Sequence, residues 1–401
     1  MANTLTATTT SVIYFGHTLL EFLKNQLVLI PNCMTSYEGA ATAPGSTIQV
    51  PYISIPSAAS TRAIGGAATA SDMNSFTANV TMTQIYQGVT VDNLQNLFSS
   101  VNMMEEAARQ LAYNIAAAAD AQVAALHTHI PYVVGKTDGT ASFNSTDILK
   151  PLNDARKQLM LNRSPMDDLV AVLGPTEAAN FRSLSQLQKV NEAGGPNLLR
   201  NGEMGQILGF RIMESQQIAT NVVMNDSSVT ATPGAVNNAS GYPVGTTTMA
   251  INSLGAGTVP AGTSFYVKTI SGTKYTVTAP ATITTNAATI TFSPPLRDAV
   301  ANSDAVVITE YTNAAGGESF GLAFNRNAIL AVARPTHPFQ AGSGINSVIV
   351  TDDQTGLSIR VATQSKLLDS SAGYSESIAA DLVFGCEVVR PESAVKIAGA
   401  V

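Results

Sequence analysis

Charge is the first thing this 401-residue chain lacks: Asp, Glu, Lys and Arg make up only 12% of it, against a usual share of roughly 25%. The 21 Lys and Arg are outnumbered by 28 Asp and Glu, giving a formal net charge of −7. Basic residues are scattered, as in Arg156, Lys157 and Arg163, and form no cluster. A tight electrostatic grip on nucleic acid needs clustered cations against phosphates, so that class of function is excluded. Tryptophan is absent, and the 13 Phe and 11 Tyr are not interleaved with basic residues, which leaves no stacking platform for single strands. Cysteine occurs twice, at Cys33 and Cys386, too rarely for a disulfide framework; reduced, buried thiols are expected. No stretch approaches the 18 or so apolar residues of a membrane helix. The opening MANTLTATTTSVIYFGH has neither a basic leader nor a long apolar core, so no signal peptide is expected. The N-x-S/T matches at Asn144, Asn225 and Asn238 are those a Thr/Ser-rich chain yields by chance.

What is present is ordinary hydrophobicity, 45%, with Ala, Thr, Ser, Asn and Gly in place of charge. Disorder would require few hydrophobic residues and high net charge, and neither holds. A soluble monomer carries more surface charge than this. Two readings remain open at this level: a surface covered by other subunits, or a Thr/Ser-rich secreted protein.

Hydrophobic spacing orders the chain. Residues 11–28 carry Val12, Phe15, Leu19, Leu20, Leu23 and Leu27 at helical intervals, closed by Pro31. Two β-rich runs, 47–55 and 76–91, flank a small, polar tip and predict a protruding hairpin. Residues 101–129 predict the longest helix, rich in alanine. A helix over 147–162, a buried strand over 169–174, a helix over 176–188 capped by Thr176 and a strand over 204–215 predict an α/β domain. From Asn225 to about Gly317 the chain turns to Thr, Val, Gly and Ser with alternating apolar residues, predicting a small antiparallel β domain inserted at a loop. Residues 317–335 resume a strand followed by a short helix or strand. The alternation of Leu357, Ile359, Val361 and Thr363, and the run 381–389, predict strands pairing with the hairpin strands near Val50 and Val89.

Motifs for chemistry are weak. VVGKT at 133–137 lacks the earlier glycine of a phosphate loop, since Ile130 stands there, and a turn between helices is expected. Gly317-Glu318-Ser319-Phe320-Gly321 matches the nucleophile-elbow pattern, but a strand follows and His337 precedes Asp352, the wrong order of partners. A serine hydrolase centred on Ser319 is therefore a rival reading, as is a β-rich cell-surface adhesin. His127 and His129 point apart on a helix, and Asp138 adds no known metal pattern. Glu105-Glu106, Asp167-Asp168 and Asp352-Asp353 are sequence neighbours, not convergent acid/base pairs; the first of them suits a helix N-terminus. No catalytic, cofactor-binding or metal-ligating residue is expected.

The order of parts resembles the Hong Kong 97-like major capsid fold of tailed double-stranded DNA phages, and within it the coat family typified by the Salmonella short-tailed phage, with its inserted β domain. The segments carrying the resemblance are MANTL at the start, TIQVPYISIP (47–56), QGVTVDN (87–93), GQILGFRIMESQQI (205–218), GLAFNRNAILAVARP (321–335) and DLVFGCEVVRPESAVKI (381–397). The resemblance implies an α+β fold divided into an N-terminal arm and helix (1–43), an extended β-hairpin loop with peripheral strands (44–93), a spine helix with peripheral domain (94–146), an axial α/β domain (147–224, returning at 317–346), the inserted β domain (225–316) and C-terminal peripheral strands (347–401). It implies pentamers and hexamers of this chain in an icosahedral shell, a scaffolding protein and a portal as assembly partners, DNA enclosed without sequence-specific binding, and no membrane or cofactor. The virion capsid, assembled in the host cytoplasm, is the implied location. Arg62 and Asp72 at the hairpin tip and Glu105 and Glu106 on the spine helix are the candidate subunit contacts. The tip here is richer in Ala and Ser than is usual in that family, and no Lys–Asn pair is placed for crosslinking.

Overall fold

The alanine-rich stretch folds as its apolar spacing dictates. The computed structural model describes residues 16–35, 45–53, 64, 75–92, 98, 103–135, 141–144, 146–188, 205–218, 233–270, 272–308, 318–340, 344–352, 356–369 and 373–400, and in it Met103–Ala125 is a 23-residue α-helix. At 1.5 Å per residue this helix is about 35 Å long. Ala107, Ala108, Leu111, Ala112, Ile115, Ala116, Ala119 and Val123 are all buried along one stripe, where small side chains let neighbouring elements come close. A 3-10 turn, Leu126–His129, follows in the chain.

The chain forms two compact units, each drawn from separated segments. The first takes Met1–Ile48, Val80–Ala125 and Ile329–Glu387. Its sheet has five strands in the order Ile329–Arg334, Gly373–Val388, Ser358–Asp369, Asn346–Thr351, with Thr83–Asp92 also paired to Gly373–Val388. The expected pairing near Val89 is present, since Val89 lies opposite Ile378. Alternation puts Ile359 and Val361 with Ile378, Ala380, Leu382 and Phe384 into the core. The long helix packs on strand Thr83–Asp92, where Gln122 Nε2 donates to Thr83 Oγ1 at 3.2 Å. A second helix, 16–26, buries Leu19, Leu20 and Leu23; the predicted first turn at 11–15 lies outside the described residues. Beyond it, Met34 joins the sheet beside Leu330.

The expected pairing of C-terminal strands with residues near Val50 is corrected: strand Thr47–Ile53 pairs with Ser75–Thr81 in a two-stranded sheet. Local closure of a hairpin wins over a more distant partner.

The second unit takes Gln49–Asn79, Leu126–Ala328 and Val388–Val401. Its six-stranded sheet runs Val133–Gly135, Ala394–Ala400, Glu318–Asn325, Leu169–Leu173, Phe210–Glu214, Gln206–Ile207. Leu169–Leu173, buried throughout, is parallel to Phe210–Glu214 and antiparallel to Glu318–Asn325. Helices Lys150–Leu161 and Pro175–Arg182 pack a core of Leu152, Leu159, Phe181, Phe210, Val395 and Ile397 on one face, with Phe143 edge-on to Phe181 at 5.2 Å. The last strand, Ala394–Ala400, lies inside this sheet rather than with the strands before it, because the 3-10 turn Pro391–Ser393 breaks the run first.

Local corrections follow the same physics. Helix Pro175–Arg182 starts with Gly174 as its N-cap and proline in its first turn, the position where a missing N–H costs nothing; Thr176 is inside the helix and caps nothing. The stretch 176–188 breaks into Pro175–Arg182 and Ser185–Gln188. Val133–Gly135 is a strand parallel to Ala394–Ala400, not a turn between helices; Lys136 and Thr137 lie outside the described residues. Residues 318–334 form two strands, Glu318–Asn325 and Ile329–Arg334.

The inserted segment is a closed barrel of six strands: Ser264–Val267, Tyr275–Ala279, Ala287–Ser293, Thr248–Asn252, Gly234–Val236 and Ala305–Ile308. Closure removes edges. Phe265, Tyr275 and Phe292 fill its centre with ring centroids 5.4–5.6 Å apart.

Candidate subunit-contact surface

In the first unit the long helix presents a polar stripe opposite its alanine face. Glu106, Arg109, Gln110, Tyr113 and Asn114 are exposed at i, i+3, i+4, i+7 and i+8. With Phe22 and Gln26 of helix 16–26 they line an open groove of about 610 Å³. Arg109 sits over the Phe22 ring, 5.1 Å from its centroid, a cation–π contact that fixes one wall. Further along the long helix, Asp120 ties down the segment that follows helix 16–26. Its carboxylate accepts hydrogen bonds from the backbone N–H groups of Val28 (2.8 Å), Leu29 (3.2 Å) and Ile30 (3.3 Å), satisfying the free donors at the start of the Ile30–Asn32 turn. Burial raises the Asp120 carboxyl above its ordinary range, against the pull of those three donors. Tyrosine and arginine beside a carboxylate make a groove suited to protein contact.

Of the candidate contact residues, Glu106 lies on this groove. Glu105 precedes it in the same helix, and its side chain lies outside the described residues. Arg62 and Asp72 lie outside the described residues as well.

Sequence reasoning missed a second feature of this unit. Arg360 and Asp381 are opposite one another on adjacent strands, and Arg360 also stacks on Phe339, 4.3 Å from the ring centroid, while its Nη1 donates to His337 O at 2.8 Å. Gln84 Nε2 donates to Asp381 Oδ2 at 2.6 Å. Only the strand register reveals this constellation. The same strand, Thr83–Asp92, holds Tyr86 outward, 76% exposed.

In the second unit the candidates for chemistry do not assemble. Ser319 is fully buried and is the second residue of strand Glu318–Asn325, not the apex of a strand-to-helix turn. Its Oγ donates to Glu177 Oε1 at 2.6 Å, and substrate has no access to it. Burial raises the Glu177 carboxyl to about 7, with the Ser319 hydrogen bond opposing. His127 packs on Phe320 at 4.4 Å between centroids. Asp167 offers its backbone carbonyl to Asn325. In the first unit Asp352 pairs with Lys24 at 2.8 Å; Asp353 and Asp138 lie outside the described residues. Among the described residues no group of three His, Cys, Asp or Glu side chains is placed to hold a metal, and no helix is long and apolar enough to cross a membrane.

Buried charges instead tie the barrel to the sheet of its own unit. Arg297 Nη2 donates to Glu392 Oε2 at 3.3 Å, and Lys396 Nζ, fully buried, donates to Gly262 O at 2.8 Å. Tyr52 stands near that ion pair; burial and the Glu392 charge push its hydroxyl up to about 12 against the pull of Arg297.

No family model matches the chain, and no curated protein matches it. Among solved structures, a chain of Mycobacterium phage Che8 matches 93% of this chain over 91% of its own, at 17% identity and a TM-score of 0.51. A chain from the capsid of cyanophage P-SCSP1u matches 92% of this chain over 85% of its own, at 14% identity and a TM-score of 0.48. A chain of a virus-like particle from Pyrococcus furiosus matches 96% over 97%, at 7% identity and a TM-score of 0.45. The likeness to the Che8 chain is one of fold.

Proposed function

We propose that this chain, an α+β protein with the Hong Kong 97-like phage capsid fold, is a major capsid protein that assembles many copies of itself into an icosahedral shell around double-stranded phage DNA. The observation that carries the reading is the fold match over 93% of this chain and 91% of the matched one, because a match of that extent leaves little of either chain unaccounted for. Low charge supports it: a chain with only 12% charged residues has little charge to place on its surface, which suits coverage by neighbouring copies better than exposure to water. Large apolar side chains left outside, Tyr86, Tyr113, Met160 and Leu161, are consistent with contact surface.

In this reading the two compact units correspond to peripheral and axial regions, and residues 44–93 reach a neighbour. Contacts close into rings of five and six, and many weak contacts per copy hold the shell. Arg62, Asp72, Glu105 and Glu106 are contact residues, with the Glu106 groove as the part visible on one copy. A scaffolding protein and a portal assist assembly in the host cytoplasm, and the finished shell belongs to the virion. The acidic balance suits a wall that encloses DNA without gripping it. The chain carries out no catalysis in this role. The closed burial of Ser319 weighs against the hydrolase, and the fold weighs against the adhesin.

Negative-stain electron microscopy of the purified chain, with scaffolding protein supplied, tests the proposal. Closed shells or capsomer rings are expected. A compact monomer at high concentration that turns over a small molecule would overturn it.

A further inference from the structure

Glu177 has no exposed surface, although it stands in the first turn of helix Pro175–Arg182. Its Oε1 accepts from Ser319 Oγ at 2.6 Å, and its Oε2 has no hydrogen-bond partner. The space it fills is made by Gly399: a Cβ there would strike Glu177 Oε1 and come within 2.7 Å of the Ser142 backbone N. Ser319 and Gly399 are opposite residues on antiparallel strands, so the carboxyl group presses on one rung of the sheet. Ser319 from strand Glu318–Asn325 donates to it, Gly399 from strand Ala394–Ala400 lies against it with Ser142 bordering the same spot, and no charged group is among the influences on its ionisation. Lys396, three residues from Gly399, lies on the opposite face by strand alternation and donates to Gly262 O. Arg182, on the same helix, pairs with Glu214. A negative charge at Glu177 would therefore be buried with a single hydroxyl for company, an arrangement that proteins avoid by keeping the group neutral.

We infer that Glu177 is a proton-operated latch: protonated and neutral, it lets helix Pro175–Arg182 rest on the paired strands Glu318–Asn325 and Ala394–Ala400; ionised, its buried charge works against that packing. The latch acts within one chain and does not depend on shell assembly. Burial places its titration near 7, above the 4.5 of an ordinary Glu. The folded state then holds the proton over a pH window in which the unfolded state has lost it. The contribution to stability is complete below about 4.5, declines as pH rises, and is gone above about 7. Across that window the folded-to-unfolded ratio drops by on the order of a hundredfold from this group alone.

The test uses the full-length chain. Urea unfolding midpoints are measured between pH 5 and 8, and the protonated-carboxyl infrared band is titrated. The wild type is expected to lose midpoint as pH rises and to keep a carboxyl band above pH 6. Glu177→Gln should take the Glu177 contribution out of that band, leaving any contribution of the buried Asp120, and flatten the midpoint against pH. Ser319→Ala, which keeps Glu177 but removes the donor that favours its ionised form, should move the transition to higher pH, and it serves if the glutamine variant fails to fold. A wild-type chain whose last carboxyl band disappears near pH 4.5, or a glutamine variant with the wild-type slope, would overturn the latch.

Discussion

Arg360 and Asp381 face one another across neighbouring strands and share two parallel hydrogen bonds, Nε to Oδ1 at 2.8 Å and Nη2 to Oδ2 at 2.7 Å. Both side chains are largely buried, 15% and 9% exposed. A paired fork of this kind is strong, and removing one member strands the other away from water. Arg360→Ala should therefore destabilise the chain by about 3 kcal/mol, read as a lower urea midpoint. Arg360→Ala with Asp381→Ala should lose much less than the sum of the two single changes. Additive losses would mean that the two groups act independently.

A close approach of backbone sets the second prediction. A Cβ on Gly385 would lie 2.7 Å from Met82 Sδ and 2.8 Å from Thr81 O. The thioether can turn aside, but the carbonyl is part of the backbone. Gly385→Ala should cost about 1–3 kcal/mol, while Gly245→Ala, which meets nothing within 4 Å but has φ +87, should lose about 1 kcal/mol through backbone strain alone. Thermal unfolding of the two variants side by side measures the difference.

The barrel anchor gives the third. Arg297→Ala leaves Glu392, 8% exposed, without its cation, at an expected loss of about 3 kcal/mol. Glu392→Gln keeps the shape and removes the charge, so it should destabilise less. It should also lower the Tyr52 hydroxyl from about 12, because the Glu392 charge is one of the causes holding it up. Carbon-13 labelling at tyrosine follows that titration directly. An unmoved Tyr52 would remove Glu392 from its surroundings.

The elements that the sequence announced are those governed by local spacing. The alanine stripe from Ala107 to Val123 marked the long helix, and alternation in 264–267 and 287–293 marked barrel strands. Pairings between distant residues were hidden. Nothing near Ser319 points to Glu177, 142 positions away, and nothing near Val28 points to Asp120, 92 positions on. The strand Ala394–Ala400 misled for the opposite reason: nearness in sequence to 381–389 implied a shared sheet, while Pro391 allowed the chain to leave it. Charge alone did not sort the long helix: Glu106 is exposed while Asp120 on the same helix is buried, and Arg109 over Phe22 needed the packing of two helices to be seen.

That groove carries the last prediction. Tyr113 is 46% exposed on the long helix, beside but turned away from the buried Leu111 and Ala112, so changing it disturbs little inside the chain; surface changes of this kind stay within about 0.5 kcal/mol. If the groove is covered by another copy during assembly, Tyr113→Glu places an unpaired carboxylate in a desolvated contact, a penalty of about 1–3 kcal/mol at each repeat. Because every copy in a shell repeats the contact, a small penalty multiplies into a large fall in closed particles. The variant should keep wild-type circular dichroism and unfolding midpoint while particle yield by electron microscopy falls at least roughly tenfold, the equivalent of about 1.4 kcal/mol per contact. Deletion of residues 65–72, which lie in the sequence between strands Thr47–Ile53 and Ser75–Thr81, should give the same separation of folding from assembly. Normal shells from Tyr113→Glu would place this helix face on the open surface of the particle, and the contact role of Glu106 would fall with it.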